Sequence, residues 1–284
     1  MNSPVSPVRA GDFPACIDFL KPREFRAISL ASHLSKDGQP CFPGAQAAFV
    51  RLAGEHVPGQ TDGLVLLTAN GILLHCLRED CAPDPYLGGI REFLAGKNVR
   101  CVIGTGTDTR TLETCIGKRT ARSVDYQLMT CMTIPAERPL ILEGAKIVSC
   151  GPEDAAGLYP LQEGYEREEV IPPGDPFVPD LCLGGLRASL AKQYIWGIRA
   201  EGRWIAKAGT NARGLAWDQL GGVYTAPEYR GRGIASALVA YAASERIRAG
   251  RKTALFVKLD NVPARRAYDR AGFSPAVPYR ISYY

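Results

Sequence analysis

"PEYRGRGIASALVAYA", Pro227 to Ala242, sets two arginines and two glycines directly before an apolar helical pattern, and this junction decides how the chain is read. Val223-Tyr224-Thr225, just upstream, end a run with strand character. Ile234, Leu238, Tyr241 and Ala242 keep the i, i+4, i+7 spacing of one helix face. The first four amides of a helix lack partners inside it, and the aligned peptide dipoles place about half a positive charge there. Gly231 and Gly233 leave those amides uncovered, and Arg230 and Arg232 add formal charge. The turn from Arg230 to Ala235 therefore suits a pyrophosphate.

Working outward, "LGGVYTA" reads as a strand, Gly233–Ala249 as a helix closed by Gly250, and "KTALFVKLD" as a buried strand. "NVPARRAYDRAGF" reads as a short helix with Asn261 near its cap, Pro263 in its first turn and Gly272 at its end. A final hairpin strand within "YRISYY" finishes the chain. Upstream, Glu153–Val170 and Phe177–Ala191 have helical patterns, and "YIWGIRAEGRWIAKAGT" is a hairpin turning at Glu201-Gly202. In the first half, Arg23–Leu34 has helical spacing, and residues 63–77 form two apolar runs joined by Ala69-Asn70-Gly71, a strong hairpin signal. "YLGGIREFLAG", "VRCVIG" and "TDTRTLETCIG" then read as helix, strand and helix, the last capped by Thr107 or Asp108. The proline-rich stretch 134–139, followed by apolar "LILEGAKIVSC", marks a boundary, and 171–179 reads as a loop. The expectation is an α/β chain with mixed sheet in two domains, 1–143 and 144–284.

Composition bounds the function classes. The 284 residues carry 46% apolar and 22% charged side chains, ordinary for a soluble globular protein. No run approaches the roughly 18 apolar residues of a membrane span, and the start lacks a secretory signal's order, which points to the cytoplasm and no membrane partner. Nine cysteines without CxxC spacing read as reduced, mostly buried thiols, and no metal site is expected. The net charge of +5 lies wholly in the second half, and Arg230–Arg270 holds ten basic against three acidic residues. A local positive field points to an anionic ligand.

"VYTAPEYRGRGIA" followed by "LFVKLDNVPARRAYDRAGF" resembles the GNAT superfamily of acyl-coenzyme A N-acyltransferases, whose signature is Arg or Gln, two residues, Gly, one residue, Gly or Ala. Arg230-Gly231-Arg232-Gly233-Ile234-Ala235 carries it, and Asn261, Ala264, Tyr268, Gly272 and Phe273 match the family's second block. The resemblance covers about 194–284. It implies a GNAT fold in the C-terminal half, with coenzyme A between two splayed parallel strands, "GGVYT" and "ALFVK". A bulge would explain why Gly221-Gly222 is tolerated in a strand. It further implies that Val223, Tyr224 and Thr225 bind the pantetheine arm, one main-chain amide polarising the thioester carbonyl. Asn261 would contact the same arm, and Tyr268 would protonate the leaving thiolate. The implied activity is transfer of an acetyl group from acetyl-CoA to a small-molecule or peptide primary amine by direct attack. The alternative is a coenzyme A-binding sensor without turnover.

With no histidine in this half, the base should be a carboxylate or a water chain, and Asp218 stands roughly where relatives carry an acidic residue or histidine. Other features have plainer readings. Lys258, Arg265 and Arg266 read as a solvated face or as partners of the cofactor's 3'-phosphate. The acidic run Glu163, Glu166, Glu168 and Glu169 reads as a solvated helix face or as a lure for a cationic acceptor. "VIGTGTDT" lacks the third glycine of a dinucleotide turn. Nucleic-acid binding is disfavoured because exposed aromatics do not interleave the basic stretch. The first half has the element order of a degenerate GNAT-like domain without the phosphate turn, expected to wall the acceptor cleft.

Overall fold

The computed structural model describes residues 5–36, 39–41, 47–50, 61–79, 84–136, 142–171 and 174–284. His56, Cys81 and part of the 134–139 boundary stretch lie outside the described residues.

Among the described residues, twelve strands form one continuous sheet. In chain order they are β1 (Val5–Pro7), β2 (Ala47–Val50), β3 (Gly63–Leu67), β4 (Ile72–Leu77), β5 (Cys101–Thr105), β6 (Arg122–Cys131), β7 (Lys146–Cys150), β8 (Ile195–Ala200), β9 (Arg203–Arg213), β10 (Trp217–Thr225), β11 (Lys252–Lys258) and β12 (Ser274–Tyr283). The helices are α1 (Phe13–Leu20), α2 (Ile28–His33), α3 (Asp84–Leu94), α4 (Gly106–Glu113), α5 (Ala155–Tyr165), α6 (Pro179–Lys192), α7 (Ile234–Arg248) and α8 (Val262–Arg270). The order strand, two helices, three strands, helix, strand, helix, strand therefore occurs twice. The mixed α/β class is the one expected.

The sheet order is β1-β2-β3-β4-β5-β12-β6-β11-β10-β9-β8-β7. Each half thus ends with a strand inserted into the other half. β12 pairs antiparallel with both β5 and β6, and β6 pairs antiparallel with β11. The final strand is consequently not the hairpin expected from "YRISYY"; the sequence pattern of one strand holds no information about a neighbour 150 residues away. Residue 144 is where the element order restarts, but no break in the sheet lies there. One core cluster is shared across this seam, joining Ile28, Tyr126 and Leu128 to Trp217, Tyr279 and Ile281. The seam is also tied by Glu24, whose buried carboxylate accepts from the Ala216 and Trp217 amides at 2.9 and 3.2 Å, fixing the start of β10 against the first half.

Among the described residues, parallel pairing occurs once in each half, β4 with β5 and β10 with β11. α7 crosses over between β10 and β11 and buries Ile234, Leu238, Val239 and Ala242 against the sheet. Its helical spacing and its closure by left-handed Gly250 follow the sequence reading.

Candidate functional site

The turn between β10 and α7 is built as its glycines suggest. Gly231 (φ 77°) and Gly233 (φ 75°) both occupy the left-handed region, where any other residue is strained. A Cβ at either position would meet no protein atom within 4 Å, so both face open space. No side chain caps the α7 N-terminus. Arg230 is held beside this mouth by its Nε bond to the Thr225 carbonyl (3.0 Å) and by two bonds to Glu168 (3.0 and 2.8 Å). Arg232 instead stacks over the Tyr229 ring at 5.6 Å.

β10 and β11 pair only from Trp217–Gln219 to Lys252–Ala254, after which they splay. On its other side β10 carries a bulge. Lys207 faces Tyr224 and Gly209 faces Gly221, so Gly222 and Val223 together oppose the single residue Ala208. Gly222 takes a φ of 59° to make it. This is the irregularity anticipated at Gly221-Gly222, and it lies at the splay.

Three adjoining cavities surround the splay. The first, about 480 Å³, is lined by Val223, Tyr224 and Thr225, by Arg230, Gly231, Gly233, Ile234 and Ala235, and by Asn261 and Tyr268. Every cofactor residue expected from the sequence is there except Arg232. Arg266 and Arg270 add positive charge to the same wall, whereas Arg265 donates to the Leu259 carbonyl. The second cavity, about 240 Å³, fills the splay itself and shares Val223, Asn261 and Tyr268 with the first. The third, about 370 Å³, opens on the far side between Arg122 and Tyr126 of β6, Tyr283 of β12 and residues 167–171 and 174–177. The first half thus contributes a wall, through the exchanged strand.

These walls fit a phosphopantetheine-bearing ligand. Thr225 Oγ1 and Ser236 Oγ are buried in the first cavity's lining without a hydrogen-bond partner among the described residues. Buried hydroxyls are normally paired, so both await an acceptor or donor. Together with open helix amides and three arginines, they match an anion on a polar arm.

Asp218 corrects the sequence reading. It is 0% exposed, lines none of the three cavities, and holds Arg246 through Oδ2 (2.6 Å) and Arg251 through Oδ1 (2.9 Å). Fully buried beneath two guanidinium groups and on no cavity wall, it has no position from which to reach an acceptor. The spacing that put it at the start of β10 was right; its partners, on α7 and just before β11, were invisible in the sequence.

The acidic run, unlike Asp218, reaches the cavities. α5 continues through one π-helical turn, Glu166–Val170, which swings Glu168 and Glu169 toward the cavities. Glu168 accepts from the Tyr224 hydroxyl (2.6 Å) as well as from Arg230. Glu169 lines all three cavities, accepting from Asn261 Nδ2 (3.1 Å) and pairing with Lys258 (2.9 Å). Asn261 also caps α8, its Oδ1 accepting from the Ala264 amide at 3.1 Å. Tyr268 is buried, and desolvation, with electrostatic repulsion from Tyr165 and Glu169, raises its hydroxyl pKa above the usual tyrosine range.

The equivalent region of the first half is filled. His75, following the β4–β5 parallel pairing, lies where a Cβ on Gly104 would collide with its ring, and its Nε2 contacts Thr109 Oγ1 of α4 at 2.9 Å. "VIGTGTDT" therefore forms a packed strand–helix junction and not a nucleotide turn. Among the described residues, no group of three or more His, Cys, Asp or Glu side chains could hold a metal ion, and no helix is long and apolar enough to cross a membrane.

Residues 159–273 match the acetyltransferase (GNAT) family. No curated protein matches the chain. Among solved structures, a Drosophila protein is similar over 100% of this chain and 99% of its own, at 15% identity and a TM-score of 0.67. A GCN5-related N-acetyltransferase from Sphaerobacter thermophilus aligns over 98% of this chain and 94% of its own, at 19% identity and a TM-score of 0.59. A tandem GNAT protein from the clavulanic acid biosynthesis pathway aligns over 98% and 97%, at 13% identity and a TM-score of 0.53. At these identities the likeness is one of fold, and it extends over both halves.

Proposed function

We propose, from the premise that residues 159–273 carry a GNAT acetyltransferase domain, that the chain transfers an acetyl group from acetyl-CoA to a primary amine. The observation that carries this reading is the uncovered α7 N-terminus opening onto a cavity that continues into the β10–β11 splay. Gly231, Gly233 and the following amides would hold the pyrophosphate, with Arg230, Arg266 and Arg270 around it. Val223–Thr225 would bind the pantetheine arm. Bound acetyl-CoA would supply an acyl group activated as a thioester.

The residues of the chain then have distinct tasks. The Val223 N–H, at the bulge, would donate to the carbonyl oxygen as negative charge grows there. Glu169, common to all three cavities, would accept the amine's proton in place of Asp218. Tyr268 would face the sulfur. Because burial raises its pKa, while an ordinary thiol ionises near 8.5, full proton delivery from Tyr268 is uphill. Its contribution is a hydrogen bond to the charging sulfur. A degenerate first half would serve as scaffold and acceptor wall, its own splay closed by His75.

The test is release of free thiol from acetyl-CoA with a panel of primary amines. Turnover supports transfer; tight acetyl-CoA binding with no release for any amine supports the sensor reading. Tyr268→Phe is expected to lower kcat about tenfold while leaving KM for acetyl-CoA within about threefold. Glu169→Gln is expected to cost about 100-fold in kcat. A folded Glu169→Gln enzyme with the wild-type rate would move the base elsewhere.

A further inference from the structure

Lys207 is a buried charge for which acyl transfer as described has no use. It lies on β9, 4% exposed, with no carboxylate within ion-pairing distance among the described residues. Its Nζ donates to the Gly222 carbonyl at 2.9 Å and lies 4.8 Å from the centre of the Tyr165 ring. Burying an ammonium group without a counter-ion is costly, and the single strong bond it makes goes to the bulge.

The Gly222 carbonyl and the Val223 N–H belong to one planar trans peptide, so they point in opposite directions. An ammonium group on the carbonyl oxygen therefore does two things. It fixes the peptide's rotation, turning the N–H away from Lys207. It also draws electron density toward oxygen, which makes the N–H a stronger donor, since hydrogen bonds in a chain polarise one another. Val223 lines both the first cavity and the splay. We propose that Lys207 is a positioning residue of the acyl-transfer site, clamping and polarising the Gly222–Val223 peptide so that the Val223 N–H is held as a strengthened donor to the thioester carbonyl.

This rests on the acetyl-CoA reading above, and it reaches further in giving the oxyanion donor a titratable support. Desolvation lowers the Lys207 pKa to about 8, against which Glu166, Cys182 and Cys150 pull upward. The titratable groups facing it are Tyr165 and Glu166 at the end of α5, Cys182 on α6 and Cys150 on β7. Tyr165 is raised to about 12 and both cysteines likewise to about 12, so Lys207 alone changes charge near pH 8. As pH rises through 8 the lysine becomes neutral and the polarisation weakens.

The test uses the full chain with acetyl-CoA labelled with ¹³C at the carbonyl, no amine being present. In the wild type the bound carbonyl stretch should lie below its frequency in water, and should move back toward that frequency as pH is raised through about 8. Lys207→Met should lose most of the lowering, and Lys207→Gln, a neutral donor, should retain part of it. With an accepted amine, Lys207→Met should lower kcat about tenfold and leave KM for acetyl-CoA within about threefold. If acetyl-CoA does not bind the wild type, the cofactor reading fails and this proposal with it. If acetyl-CoA binds but its carbonyl is unshifted, or keeps its shift in Lys207→Met, the lysine proposal alone is overturned. The wild-type pH titration decides the matter even where a variant does not fold.

Discussion

Gly233→Val is expected to weaken acetyl-CoA binding about 1,000-fold by calorimetry. Two terms combine. Gly233 is at φ 75°, which a β-branched residue adopts only with strain. Its missing Cβ also points into open space at the mouth of α7, so a side chain there would meet no protein atom and would stand instead where an anion must approach the amides. Displacing a phosphate from two charge-assisted hydrogen bonds, each worth roughly 1.5–3 kcal/mol, gives the stated loss. The protein should remain folded, because the strain is of order 1–3 kcal/mol and no packing is disturbed. Unchanged affinity in the folded variant would show that the ligand's phosphates lie elsewhere.

Asp218→Asn should have the opposite signature. It strips the charge facing Arg246 and Arg251, whose Nε atoms lie 2.6 and 3.1 Å from the carboxylate at a site with no solvent access. Breaking a buried ion pair by neutralising one partner typically costs about 3–5 kcal/mol, and because the two guanidinium groups left behind are 11% and 16% exposed the lower end, about 3 kcal/mol, is expected. In a chain of 284 residues that corresponds to a fall in Tm on the order of 10 °C. The kcat measured well below Tm should stay within about twofold of wild type. A collapsed rate with Tm preserved would return Asp218 to the chemistry.

The two cases differ in how far each residue's role extends along the chain. The Arg230–Ala235 turn is made by six contiguous residues whose backbone freedom and charge are fixed by their own side chains. Gly231, Gly233 and the apolar spacing of α7 could therefore be read directly, and ten of the eleven cofactor residues expected from the sequence line the first cavity. Asn261 was equally legible as a cap, since its partner is three residues away. Asp218 had the right residue type in the right strand, but its function depends on guanidinium groups 28 and 33 positions later. Glu169 had a visible acidic context, yet only the π-turn and its bonds to Asn261 and Lys258 bring it to the splay. Lys207 gave no signal at all; as one lysine in an alternating strand it reads as solvent-facing.

By itself the sequence determined the mixed α/β class, the elements around the Arg230–Ala235 turn and that turn's open backbone, because each rests on interactions between residues within about one helical turn or hairpin of one another. The tertiary structure alone decided that β6 and β12 change places, that the two halves share one sheet, that Glu24 anchors a strand 192 residues away, and which carboxylates face the cavities. Such contacts are set by which long-range pairings leave the fewest buried polar groups unmet, and no local pattern encodes that balance.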